Sequence, residues 1–145
     1  MGKKVSWLHL AAGILFVLSA IAAATVFGAC PVKDDGTWMR CHEAETTVVQ
    51  LMSALAVYAV SFGIAAKKLN KCAWFVLLVD AVGAAVSVMV SIIPGVIMPL
   101  CMRLSMRCYT VFQPFVKITA VVGALLFAAD FVFSEIKLRR SRRTE

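Results

Sequence analysis

Charge is scarce in this chain: only 16% of its 145 residues are Asp, Glu, Lys or Arg, against about 25% in an ordinary soluble domain. Hydrophobic residues make up 61%, where about 45–50% is usual. Together these figures exclude a water-soluble core. Several chemical signals are missing as well. There is no nucleotide-binding loop, no paired general acid and base, and no zinc signature, and none of the five cysteines forms a Cys-x-x-Cys pair. That spacing is what lowers a thiol's pKa and arms the reactive pair of thiol oxidoreductases. These absences lean away from an enzyme.

What is present is four long apolar runs, at about 5–28, 47–66, 72–93 and 115–136. A bilayer crossing takes about 20 apolar residues as a helix. Four runs use most of the chain and leave no room for a separate soluble catalytic domain. The expected fold is all-α: one transmembrane domain over 1–145, a four-helix bundle with loops at 29–46 and 94–114 and a basic tail at 137–145. An open sheet would leave unpaired edges in lipid.

The net charge of +7 is distributed as the positive-inside rule requires. Lys3 and Lys4 precede the first run, Lys67, Lys68 and Lys71 lie between the second and third, and Lys137, Arg139, Arg140, Arg142 and Arg143 follow the fourth. Both termini and the middle loop are expected inside, and the two cysteine-bearing loops outside. The first run exceeds the 7–15 apolar residues of a signal-peptide core, although Phe27-Gly28-Ala29-Cys30 faintly resembles a lipoprotein cleavage site. Met1-Gly2-Lys3-Lys4-Val5-Ser6 fits a myristoylation pattern, which would add little to four spans. Small residues recur at fourth positions: Ala20, Ala24 and Gly28; Gly83, Ser87 and Ser91; Ala120, Ala124 and Ala128. Such stripes let helices approach closely, within a bundle or across a homodimer.

Cys30 and Cys41 fall in the first outer loop, Cys101 and Cys108 in the second, and Cys72 stands alone at the inner end of the third run. Pairs on the oxidising side suggest disulfides. Of three possible connectivities, one staple per loop is favoured, Cys30–Cys41 and Cys101–Cys108, each worth about 2–3 kcal/mol by loop entropy. A continuous helix over 101–108 would hold its cysteines about 10 Å apart, beyond the roughly 7 Å that a disulfide tolerates, so bond and unbroken helix exclude each other. The first loop is acidic (Asp34, Asp35, Glu43, Glu45) and the second basic (Arg103, Arg107), which favours docking of one on the other.

The loops also echo each other, Met39-Arg40-Cys41-His42 against Met106-Arg107-Cys108-Tyr109. With Cys30-Pro31, Cys101 and Pro114 on four spans, the pattern resembles a bacterial family catalogued as domain of unknown function forty-four eighteen. The resemblance covers essentially the whole chain. It implies a small protein of the bacterial cytoplasmic (inner) membrane without an assigned reaction. It also implies an accessory role beside the permease and ATPase subunits of ABC transporters.

Three alternatives attach to particular residues. Met39, His42, Met98, Met102 and Met106 are soft or borderline donors near the cysteines, and thioethers select Cu(I). His42 would equally serve as an axial haem ligand, though no haem pocket is marked and the leading expectation is no cofactor. A thiol-disulfide redox protein is the third alternative, weakened by the missing Cys-x-x-Cys. Inside the spans, His9, Asp80 and Asp130 lie at similar inner-leaflet depth and suit one polar cluster, acting as structural glue or as a proton relay. Gln50, in the outer half of span two, suits a bond across helices. The basic residues Lys137, Arg139, Arg140, Arg142 and Arg143 suit anionic membrane lipid or a cytosolic partner. Without interleaved aromatics they do not suit nucleic acid.

Overall fold

Lipid gives a backbone no water to bond, so an apolar run closes its own hydrogen bonds as a helix. The computed structural model describes residues 3–28, 30, 36–65, 73–101 and 105–142. Its helices are α1 (Lys3–Thr25), α2 (Cys41–Ala65), α3 (Ala73–Ile92) and α4 (Gln113–Arg142). A π-helical turn at Ile93–Ile97 follows α3, and another at Cys108–Phe112 leads into α4. No strand occurs among the described residues. Among the described residues, four helices are long and apolar enough to cross a membrane, and the chain is a multi-pass membrane protein. Only 33% to 39% of each span is buried. Ile14, Leu18, Val57, Ile64, Val88 and Leu125 are exposed, as a surface solvated by lipid tails requires.

Two boundaries differ from those that apolarity alone suggests. The second helix starts at Cys41, well before the apolar run at Thr47. Glu43 lies in its first turn, where the helix dipole favours an acid. The Thr46 and Thr47 hydroxyls donate back to the Glu43 carbonyl at 3.0 and 2.8 Å. The fourth helix runs on to Arg142, because Glu135 and Arg139 pair at 2.6 Å one turn apart on its polar end.

The tightest packing joins α1 to α2 and α3 to α4, with α1 against α4 closing the bundle and a lighter α2–α3 contact. Of the expected small-residue stripes, Gly83 and Ser87 of α3 do turn inward, while Ala24 and Ala128 are exposed. On α4, Ala120 of the stripe is buried, and Gly123, outside the stripe, makes the close approach. A Cβ on Gly123 would stand 2.2 Å from Phe16 Cζ, and one on Gly83 would stand 2.8 Å from Phe127 Cε1. Phe16 and Phe127, fully buried, stack with centroids 6.4 Å apart. Two large rings are therefore housed by two glycines, and a strict every-fourth-residue stripe does not describe the seam.

Pro94 ends α3 because it has no N–H for the next helical bond. Gly95 then takes φ 93°, a conformation that glycine adopts without penalty. The opened backbone is satisfied locally. Gly95 N–H donates to Met98 O at 3.0 Å and Met98 N–H to Ile93 O at 2.9 Å, while Gln113 Nε2 donates to Pro94 O at 3.0 Å. This bend carries the chain toward Cys101.

Candidate functional site

Four cysteines from four points of the chain meet at one end of the bundle. Cys30 follows α1, Cys41 opens α2, Cys101 follows the bend after α3, and Cys108 opens the π-turn before α4. Their sulfurs all lie within 4.8 Å of one another. Cys101 Sγ is 3.1 Å from Cys41 Sγ and 3.7 Å from Cys30 Sγ. Cys41 and Cys108 are fully buried, and Cys30 nearly so. The Met39 thioether accepts from the Cys101 thiol at 3.9 Å. Burial, then hydrogen bonds with Cys41, Cys108 and Cys30, push the Cys101 thiol well above its ordinary range.

All four are free thiols, so neither Cys30–Cys41 nor Cys101–Cys108 is bonded. The two named short approaches each join one loop to the other. The reason is geometric: spacing along a loop sets which cysteines are near in sequence, but helix packing sets which sulfurs meet. Among the described residues, a further contact ties the first loop's end of the chain to the second. Arg107 donates to the backbone carbonyl of Val26, tying the end of α1 to the start of α4. Asp34, Asp35 and Arg103 lie outside the described residues.

The other proposed donors are less concentrated. Among the described residues, Met39 approaches the thiol cluster at Cys101. His42 stacks on Trp38 with centroids 3.9 Å apart and faces Glu45 at 3.6 Å. Met98 and Met106 pack, half-buried, against the apolar core. Met102 and Cys72 lie outside the described residues. Gln50 is exposed, and so are Arg139 and Arg140. Arg143 and the side chains of Lys137 and Arg142 lie outside the described residues.

A second cluster sits near the opposite end. His9 of α1 lies between Asp80 of α3 and Asp130 of α4, with His9 Nε2 3.2 Å from Asp80 Oδ1 and His9 Nδ1 against Asp130 Oδ2. All three are at least 98% buried. Phe127 meets the imidazole edge-on at 5.8 Å, and the Tyr58 hydroxyl donates to the Val79 carbonyl at 2.8 Å beside Asp80. Matched depth in three spans is the sequence signal for this meeting. From His9 to the end of α1 at Thr25 the helix rises about 24 Å, which separates this cluster from the cysteine end.

Residues 10–134 match the family described as Domain of unknown function (DUF4418). No curated protein and no solved structure matches the chain.

Proposed function

The chain belongs to that family, and we propose that it is a non-catalytic membrane protein whose cysteine end binds one soft, thiophilic metal ion. The observation that carries this reading is the mutual approach of four sulfurs within 4.8 Å. A tetrahedral ion with Zn–S bonds of about 2.3 Å holds its sulfurs about 3.8 Å apart, inside the range spanned by the 3.1 Å of Cys41–Cys101, the 3.7 Å of Cys30–Cys101 and the 4.8 Å that bounds the cluster. Four thiolates in a tetrahedron suit Zn²⁺ or a single iron, and the neighbouring Met39 thioether adds affinity for Cu⁺. Zn²⁺ is the first choice, since all four donors are equivalent sulfurs and the site is closed. A copper site built on Met98 and Met106 has no comparable geometry, and neither has a haem on His42, whose ring is stacked on Trp38.

A metal also resolves the acid–base problem of the site. Burial holds the Cys101 proton on, which works against a nucleophilic redox thiol. A bound cation reverses that balance and takes the thiolate directly. Loss of the ion would leave the same sulfurs free to oxidise into two cross-loop disulfides. Metal content of protein purified anaerobically from native membranes, with free-thiol counting on the same sample, tests the reading. It expects one metal ion and four reduced cysteines per chain, with the metal lost in Cys41→Ser and Cys108→Ser. Two disulfides and no metal would overturn it.

The surroundings follow from charge. The Lys and Arg distribution supports cytoplasmic termini and an outward cysteine end, in a bacterial cytoplasmic membrane as the family resemblance implies. Exposed Arg139 and Arg140 at the end of α4 are suited to anionic lipid, or to an ABC-type transporter that the chain would serve as an accessory subunit. Co-purification of permease and ATPase subunits with the full-length protein tests that role, and their absence argues against it.

A further inference from the structure

With both carboxylates ionised, the buried His9, Asp80 and Asp130 carry net negative charge whether or not the imidazole is protonated. With a neutral imidazole the cluster carries two negative charges in the apolar interior. Among the described residues, the ion pairs of both carboxylates are with His9 alone. Neither contact is aligned as a hydrogen bond: His9 Nδ1 and all four carboxylate oxygens are buried and lack a hydrogen-bond partner. Burying such groups unpaired is costly, and intramembrane ionisable groups of this kind mark ion pathways.

We propose that His9, Asp80 and Asp130 bind one divalent metal ion of the Mn²⁺ or Zn²⁺ class inside the bundle. One donor atom from each residue lies within 4.8 Å of the others. Two carboxylates and a neutral imidazole cancel a divalent charge. Nitrogen and oxygen donors at about 2.0–2.2 Å from one tetrahedral ion stand about 3.3 Å apart, and the His9 Nε2 to Asp80 Oδ1 separation is 3.2 Å. That edge is the ion's seat. Asp130 lies against the other ring nitrogen, on the side from which a carboxylate would orient a metal-bound histidine from outside the ion's own shell. Water would fill the ion's remaining positions. The edge-on Phe127 ring restrains the imidazole from the side.

This site does not rest on the cysteine reading, and its donors differ in kind. Mn²⁺ prefers carboxylate and imidazole to thiolate, so Mn²⁺ is the probe. Full-length protein in lipid nanodiscs is titrated with Mn²⁺ and read by electron paramagnetic resonance. The expected result is one bound ion per chain, with spin-echo modulation from a histidine nitrogen that changes on ¹⁵N-histidine labelling. Asp80→Asn and Asp130→Asn should weaken binding about tenfold or more. Should either variant not fold, the nitrogen modulation in the unmodified protein decides alone. Absence of bound Mn²⁺, bound Mn²⁺ without histidine coupling, or unchanged affinity in folded variants would each overturn the proposal. The first of these outcomes would mean that protons alone balance the two carboxylates.

Discussion

Phe16 is completely buried, and its ring tip stands where a side chain on Gly123 would have to go. The ring cannot retreat, because Phe127 stacks behind it. Gly123→Ala is therefore expected to lower stability in detergent by about 1–3 kcal/mol, the usual cost of overpacking. Thermal unfolding followed by circular dichroism measures it, and an unchanged midpoint would mean that the seam is looser than the rings imply. Cys101 supports a prediction of a different kind. Its raised pKa stabilises the reduced, metal-free fold fully below the ordinary thiol pKa of about 8.5. That contribution is lost as pH climbs from there through the thiol's own raised value. Metal-free protein should accordingly weaken over alkaline pH. Metal-loaded protein, whose thiols are already deprotonated, should show no such loss, and Cys101→Ser should flatten the metal-free profile.

Among the elements, the bend between α3 and Cys101 is the most exacting. Gly95 sits at φ 93°, and a Cβ there would come within 2.5 Å of Gln113 Nε2, the donor that satisfies Pro94 O. Gly95→Ala should cost about 1–3 kcal/mol of strain and should also weaken metal retention at the cysteine end, because this bend positions Cys101. Chelator competition measures the second effect. The long helices were legible because lipid demands uninterrupted apolar length, which hydropathy registers directly. The start of α2 was not, because Cys41-His42-Glu43 reads as loop by polarity, while Glu43 and two threonine hydroxyls make it a helix start. His9, Asp80 and Asp130 were legible as a cluster because depth in a span follows from residue count. The convergence of Cys30, Cys41, Cys101 and Cys108 was hidden, since it depends on how two loops close over the bundle. The opposed loop charges hinted at docking, and among the described residues Arg107 makes such a contact on the Val26 carbonyl.

At the scale of the whole molecule, the bundle presents two polar clusters at opposite ends of an apolar sheath. Soft sulfur donors lie at one end, and a histidine with two carboxylates lies near the other. The proposed orientation of the two ends rests on the Lys and Arg segments. Reporter fusions after Glu145 and within 67–71 should read cytoplasmic, and fusions near Gly36 external. An external C-terminus would reverse the bundle and put the cysteines in the reducing compartment. The central claim, that four cysteines hold one metal ion, is tested most directly by X-ray absorption at the metal edge of anaerobically purified protein. The account predicts a shell of four sulfur scatterers at about 2.3 Å, reduced in the Cys108→Ser variant. A shell dominated by oxygen or nitrogen, or no bound metal beside oxidised cysteines, would contradict it.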